Sequence, residues 1–325
     1  MDYPQDPLLK LSDGLALAWP VLGVYVQLEP AVAEDEDRYA AAVSMVKDWI
    51  GAELRWTHTT TFATPQPFRP TDFDFVVDHA RASDLPPVDP RDELSVMLRR
   101  HHVMTRLDFS MESYGGAEDN GGSPFSFAFH AEVPDPETSL KASLPTCLRV
   151  TVPTSTDLGE FYARVTSLLS VLRIRWASAG LTYSGATIQW YDEVHEAIYQ
   201  HARRHPGFDV PVFIEQGNAF ANRVRSINWL TWIGPELARR VPSASGSNLL
   251  RIDTVPGAVL VQAGDRPVAG DTNRFGLPPA YRAADALVRA VRAREDIHFL
   301  FPWTEKTTTD WLRRFERRLP FDTFS

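Results

Sequence analysis

The sequence contains very little cysteine, and this scarcity limits the chemistry open to the protein. Cys147 is the only cysteine among 325 residues, so no internal disulfide can form, as is usual in a reducing compartment. Zinc sites built from two or more thiolates are excluded as well. Because Leu148 and Val150 flank it in a strand-like run, Cys147 is interpreted as a small buried side chain rather than a nucleophile.

The sequence also lacks an apolar run long enough to cross a membrane. Residues 15–28 are mostly apolar, but they include Pro20 and Gly23 and are too few to span a bilayer. A secretory signal begins with basic residues, whereas here aspartates outnumber Lys10 before the apolar stretch. Residues 31–33 resemble a cleavage site, which leaves secretion as an alternative. We predict that residues 15–28 form a core strand of a cytoplasmic protein without membrane contact.

Residues 115–122 are rich in glycine but lack the features of a phosphate-binding loop. The phosphate-binding pattern ends in Gly-Lys-Ser/Thr, whereas here Gly122 precedes Ser123 directly. The acidic side chains in the loop would also repel phosphate. The segment is therefore predicted to be a flexible hairpin loop with a tip suited to a basic partner, formed by Glu118, Asp119 and Asn120.

Three histidines, His195, His201 and His205, are close enough in sequence to suggest a metal site. They do not form the His-Glu-x-x-His pattern of zinc-binding helices, because position 199 is tyrosine. The neighbouring Arg203 and Arg204 indicate a solvated helix end instead. The Gly-x-Ser-x-Gly elbow of serine hydrolases is absent too. The sequence therefore predicts no catalytic residue, no metal and no cofactor.

Negative charge is concentrated in the first half of the chain. Residues 1–150 carry 24 acidic and 12 basic side chains, whereas residues 151–325 carry 18 and 21. An acidic half disfavours nucleic acid and favours a basic partner, because complementary charge speeds encounter. Solubility alone is the simpler explanation, and charge does not separate the two.

Hydrophobic periodicity predicts a mixture of helices and antiparallel strands. Residues 103–111 and 125–133 alternate apolar and polar side chains, which indicates two paired strands with one buried face each. Further strands are predicted at 15–28, 53–62, 72–78, 147–152, 173–176, 181–190, 223–233, 249–254, 258–263 and 297–301. Helices are predicted at 35–50, 90–98, 158–172, 192–205, 281–291 and 311–319. Because hairpins and helices alternate irregularly, we predict an α+β fold with antiparallel sheets and packed helices.

The C-terminal half carries a series of short motifs that resembles one known family. In order along the chain, these motifs are residues 227–231, 257–264, 270–273, 279–281 and 310–315. The Gly115-Gly116 loop before residues 123–125 is a further match. The series is similar to the type VI secretion immunity family, whose known members neutralise nuclease effectors of the VRR-Nuc type. The likeness spans most of the chain, although residues 1–90 match only in their strand and helix pattern.

This resemblance implies an immunity protein rather than an enzyme. Its partner would be a cognate effector toxin, a basic nuclease, bound by direct contact; nucleic acid and membrane are not expected partners. The chain would be one domain, 1–325, and division into an acidic lobe at 1–150 and a motif-bearing lobe at 151–325 stays open. A carboxylate-dependent hydrolase and a structural adaptor of a secretion system remain as alternative functions.

Two sets of residues follow from this hypothesis. The expected partner contacts are acidic groups that we predict to be exposed, at the hairpin tip and at the start of the first helix: Glu118, Asp119, Asn120, Glu34 and Asp35. The residues of the family motifs are expected to hold the fold: Asn228, Trp229, Gly264, Arg266, Gly270 and Asp271. Within this second set, Asn228 is expected to bridge backbone groups in a turn, and Arg266 to pair with Asp271.

Overall fold

A long strand at the N-terminus lies in the middle of the sheet. Strand β2 (Ala16–Leu28) pairs with β7 (Cys147–Pro153) along one edge and with β8 (Ile174–Gly185) along the other. Its residues from Pro20 to Leu28 are all buried, as their β-branched and aromatic composition predicts. The predicted strand at 15–28 is thus confirmed within one residue.

This arrangement comes from a computed structural model. The structure describes residues 3–29, 35–59, 64–80, 109–119, 121–131, 146–185, 191–210, 223–242, 246–274, 276–293 and 303–316. Within these ranges the other strands are β1 (Leu9–Lys10), β3 (Trp56–Thr59), β4 (Gln66–Pro67), β5 (Phe109–Tyr114), β6 (Ser126–Ala131), β9 (Leu230–Ile233), β10 (Leu250–Val255) and β11 (Ala258–Ala263). The α-helices are α1 (Glu36–Ile50), α2 (Asp74–Ala80), α3 (Leu158–Val171), α4 (Tyr191–Arg204), α5 (Pro235–Ala238), α6 (Pro279–Val288) and α7 (Glu305–Leu312).

All described strands belong to one eleven-stranded antiparallel sheet. Its order is β10-β11-β9-β8-β2-β7-β6-β5-β3-β4, with β1 added beside β2. The α+β fold with an antiparallel sheet and packed helices is therefore confirmed. The sheet continues across residue 150, since β2 from the first half pairs with β7 and β8, and a division into two lobes is not confirmed.

One face of the sheet is apolar and is covered by helices. Tyr39 of α1 contacts Phe129 of β6 edge to face, with ring centroids 5.9 Å apart. Phe73, just before α2, packs on Phe127 of the same strand at 5.1 Å. Helix α3 joins this layer through Phe161, whose ring lies 6.0 Å from that of Trp49 in α1. This layer forms the main core.

The opposite face of the sheet is more polar. Its central row consists of register partners on seven neighbouring strands: His58, Glu112, Ala128, Arg149, Tyr25, Ser178 and Thr231. Arg149 and Glu112 form an ion pair of 3.6 Å across the strand between them. This row places polar side chains over the middle of the sheet.

Several predicted elements differ from the structure, among them the last helix, which was predicted at 311–319 and is found at Glu305–Leu312. Residues 72–78 form the end of a 3-10 turn and most of α2 instead of a strand. Pro70 begins this turn, and buried Phe73 and Val76 are three residues apart, which is a helical spacing. The strands predicted at 173–176 and 181–190 are a single strand, β8, and only the end of the 223–233 run is a strand. The predicted elements at 90–98 and 297–301 lie outside the described residues.

Gly180 allows β8 to continue as a single strand through an unusual backbone conformation. Its φ is +148°, and an added Cβ would overlap the side-chain oxygen of Asn228. Glycine is the residue that tolerates both conditions.

Within the described part of the chain, no helix is long and apolar enough to cross a membrane.

We expect Gly180→Ala to lower the free energy of unfolding by about 1–3 kcal/mol, because it adds backbone strain and a clash. Gly51→Ala is the matched control, since Gly51 has helical φ and ψ of −58° and −33° and an added Cβ would only touch Lys47 at 3.4 Å. Urea unfolding of both variants measures the difference. Equal stability of the two variants would contradict this role of Gly180.

Candidate functional site

The loop between β5 and β6 presents the predicted acidic tip. Glu118 and Asp119 are exposed, as expected, while Asn120 lies outside the described residues. The phenol of Tyr114 donates a hydrogen bond of 2.5 Å to the carbonyl of Asp119, and Gly121 N donates one of 3.2 Å to the carbonyl of Glu118. The loop is thus closed by its own hydrogen bonds.

The glycines of this loop let its backbone pack against neighbouring segments, while the flexibility of the tip stays a prediction. Added Cβ atoms at Gly115 and Gly122 would overlap the carbonyl oxygens of Glu53 and Leu17. Gly122 N also donates a hydrogen bond of 2.7 Å to the carbonyl of Ala16. These glycines let the loop backbone approach its neighbours closely. The two ends of the loop are therefore packed against the segments around Glu53 and Leu17.

Two tryptophans from strands β2 and β3 donate hydrogen bonds to the backbone of the same loop. The indole N–H of Trp56 donates a hydrogen bond of 3.2 Å to the carbonyl of Gly116. The indole N–H of Trp19 donates one of 3.1 Å to the carbonyl of Gly122. Each tryptophan belongs to a strand of the sheet, so both ends of the loop are tied to regular structure.

Asp35, the second acidic candidate, is not available at the surface, and its predicted exposure is wrong. It is 3% exposed. Its carboxylate accepts a hydrogen bond of 2.9 Å from Arg173, and Arg38 approaches it at 3.6 Å. The charge of Asp35 is therefore neutralised within the fold. Glu34 lies outside the described residues.

Asn228 and Trp229, the first family motif, connect β8 to the strands that follow it. The Asn228 amide donates a hydrogen bond of 3.0 Å to the carbonyl of Leu181, and its oxygen accepts one of 2.8 Å from Trp229 N. The Trp229 indole donates one of 3.0 Å to the carbonyl of Gly264. Asn228 thus bridges two backbone groups, as expected, although one belongs to a strand and not to a turn.

The motif at residues 270–273 anchors the end of helix α4 through Asp271. The carboxylate of Asp271 accepts a hydrogen bond of 3.0 Å from Arg204, and this bond lowers the pKa of Asp271. Arg266 is exposed and is not the partner of Asp271, so the predicted Arg266–Asp271 pair is wrong. Gly264 and Gly270 have φ of +78° and +69°, which confirms that they allow loop conformations closed to other residues.

The three histidines occupy different environments on α4. His195 is buried, and the ring of His201 lies 4.4 Å from that of His205. Nδ1 of His201 shares a hydrogen bond of 2.9 Å with the Tyr183 hydroxyl, and Nδ1 of His205 lies 2.8 Å from the carbonyl oxygen of Gly270. Among the described residues, no group of three or more His, Cys, Asp or Glu side chains is arranged to hold a metal ion.

Cys147 lies at the end of β7 in a position that disfavours a thiolate. Burial raises the pKa of its thiol to about 11, while a hydrogen bond with Tyr25 opposes this rise. A reactive cysteine needs a lowered pKa, since the thiolate is the nucleophile. The environment of Cys147 is thus that of an unreactive thiol.

Two buried arginines were not predicted from the sequence. Arg225 is 1% exposed, pairs with Asp209 and stacks on Tyr25 at 4.4 Å from the ring centroid. Arg314 lies 3.6 Å from the Trp311 ring centroid and donates hydrogen bonds of 2.7 Å to the carbonyl of Pro206 and to the Ser226 hydroxyl. The sequence gives no local signal for the burial of Arg225, which stands between Val224 and Ser226.

Comparison with protein families and with solved structures finds similar proteins. A model of the protein family described as type VI immunity for VRR-NUC matches residues 84–315. Among solved structures, the Pseudomonas aeruginosa T6SS protein PA0821 is similar with a TM-score of 0.67 at 18% sequence identity, over 95% of this chain and 87% of that one. At this identity the likeness shows a shared fold. No protein with curated annotation matches the sequence.

The lowered pKa of His201 predicts how the stability of the fold depends on pH. Burial, with smaller contributions from the charges of His205 and Arg204, lowers the pKa of His201 from 6.5 to about 4. Between these values the unfolded chain binds the proton and the folded chain does not, so stability falls as pH decreases from 6.5 to 4. The slope contributed by His201 is at most about 1.4 kcal/mol per pH unit.

Unfolding in urea across this pH range measures the effect. His201→Gln is the matched variant, because glutamine keeps a polar group near Tyr183 without titrating there. We expect its stability to change less between pH 6.5 and 4 than that of the unaltered chain. The same pH dependence in both proteins would show that His201 is not responsible.

Proposed function

The chain belongs to the type VI immunity family for VRR-NUC, and we propose that it binds a cognate VRR-NUC nuclease effector directly and neutralises it. The match over most of the chain is the observation that carries this proposal. The protein acts as an inhibitor without catalysis. Because the chain has a single cysteine, as is common in reducing compartments, we place its action in the cytoplasm.

The acidic tip of the β5–β6 loop is the part of the described surface that we assign to the effector. A nuclease must present basic groups to hold the phosphates of its substrate. Glu118 and Asp119 are exposed and carry the opposite charge. The glycines and tryptophans tie the ends of the loop to the sheet, so both acidic side chains are presented at one place on the surface. An exposed acidic tip therefore suits a basic partner.

The remaining candidates contribute less to this surface. Asp35 is buried and paired with Arg173, so it acts inside the protein. Asn228, Trp229, Gly264, Gly270 and Asp271 connect strands and helix ends, which supports their assignment to the scaffold. Arg266 is exposed and has no such connection among the described contacts, so it is the motif residue with most freedom to meet a partner.

The first experiment is co-expression with a candidate VRR-NUC effector from the same organism. We expect the two proteins to co-purify in a fixed stoichiometry and the cells to survive. An enzyme that modifies the effector would instead protect at substoichiometric amounts and leave a change in effector mass. Survival without any complex would contradict neutralisation by binding.

Charge reversal at the loop tip tests the proposed contact. We expect Glu118→Lys with Asp119→Lys to slow association with the effector by about tenfold or more at low salt, and to weaken its salt dependence, because steering charge is lost. The matched control is Glu236→Lys with Asp265→Lys, which makes the same change in net charge at exposed positions of the second half. Stopped-flow kinetics compares the two variants. Equal association rates would place the contact elsewhere.

Substitution of the most reactive side-chain types tests whether protection needs catalysis. We expect Cys147→Ala and His201→Gln to protect cells from the effector as well as the unaltered protein does, because neither residue acts chemically in our proposal. Circular dichroism and urea unfolding establish that each variant is folded. Loss of protection by a folded variant would argue for a catalytic mechanism.

A further inference from the structure

A buried ion pair on the polar face of the sheet has an uneven set of hydrogen bonds. Oδ2 of Asp209 accepts hydrogen bonds from Nη2 of Arg225 and, at 3.2 Å, from the Ser178 hydroxyl. Oδ1 of Asp209 and the Nε and Nη1 groups of Arg225 have no partner among the described protein groups. One carboxylate oxygen is thus shared by two donors while the other has none.

These groups are too deeply buried to use bulk water. The side chains of Asp209 and Arg225 are 3% and 1% exposed. The Tyr25 ring covers the guanidinium at 4.4 Å from its centroid, and Trp176 lies near the same guanidinium at 5.6 Å. Buried charged groups are normally fully hydrogen-bonded, since an unpaired one loses hydration without compensation.

A small cavity lies against the unpaired atoms. Its volume is about 10 Å³, and its walls include Gly23, Tyr25, Arg149, Ser178, Asp209 and Arg225. A buried water needs a cavity of roughly this size together with two to four polar neighbours. Organic substrates and polyatomic anions are too large for it. The walls combine apolar surface with the polar side chains of Ser178, Asp209 and Arg225, whereas cavities that stay dry are apolar throughout.

We propose that this cavity is a binding site for one ordered water molecule. The water donates a hydrogen bond to Oδ1 of Asp209 and accepts one from Nε or Nη1 of Arg225. It thereby gives a partner to Oδ1 of Asp209 and to one of the two unpaired nitrogens of Arg225 without moving either residue. This inference does not depend on the proposed function of the protein.

The water would be part of the scaffold that holds the family motif. Thr182 donates a hydrogen bond of 2.8 Å to the carbonyl of Asp209, and Asp209 N donates one of 2.9 Å to the carbonyl of Leu181. The same carbonyl of Leu181 accepts from Asn228. The ion pair therefore joins two segments, 205–210 and 223–229, to the part of β8 that lies beyond its pairing with β9. A bridging water fixes the distance between these segments.

A crystal structure of the full chain that resolves ordered waters tests the proposal, with bromide soaked into the crystals. We expect density for a water within hydrogen-bond distance of both Oδ1 of Asp209 and Arg225, without anomalous signal. An anomalous peak from bromide would make the cavity an anion site and overturn the proposal. A direct pairing of Arg225 with both oxygens of Asp209, and no density between them, would overturn it as well.

A solution measurement keeps the proposal testable if crystals do not form. Oxygen-17 relaxation dispersion detects buried waters that exchange slowly. We expect Ser178→Val, whose added methyl groups point into the cavity, to lose the signal of one such water relative to the unaltered chain. Ser44→Val, an exposed substitution of the same type on α1, should retain it. If the unaltered chain and Ser178→Val give the same signal, the water is not there.

Discussion

The pairing of β2 on both of its edges is the constraint on which the rest of the structure depends. Seven register pairs with β7 and eleven positions opposite β8 bring the first and second halves of the chain into one sheet. Such pairing joins residues more than 100 positions apart. Of the elements between them, strands β3 to β6 extend the same sheet, while α1 and α2 lie on its apolar face. The helical layer covers the apolar face, while the polar face receives the Asp209–Arg225 pair.

Local patterns predicted most elements, and long-range contacts decided those that differ. The alternation at 125–133 and the hairpin at 250–263 were correctly identified because period and turn residues are local signals. Residues 72–78 resemble a strand in composition, but Pro70 begins a helical turn there and the packing of Phe73 on Phe127 fixes it. Gly180 reads as a break between two strands, although its φ of +148° allows one strand to continue.

The exposure of the candidate site could be predicted from the sequence, but the contacts that hold its backbone could not. Glu118 and Asp119 are exposed as expected, since an acidic loop between two amphipathic strands has few other options. The sequence could not distinguish glycines that loosen a loop from glycines that let it approach Leu17 or Glu53 closely. Asp35 is buried against Arg173, which is far away along the chain, and Arg225 is buried against Asp209 although its sequence neighbours are not distinctive. Neither local charge nor spacing therefore indicated the environment of the two residues.

In the loop between β5 and β6, the exposed acidic side chains are separate from the groups that hold the backbone in place. The backbone of the loop is held by glycines and by the indoles of Trp19 and Trp56, whereas the side chains of Glu118 and Asp119 take no part in these bonds. Sequence change at those two positions can therefore proceed without remodelling the frame. If these positions contact an effector as proposed, a lineage could change them at little cost to folding, in the way that antibody frameworks carry exchangeable loops.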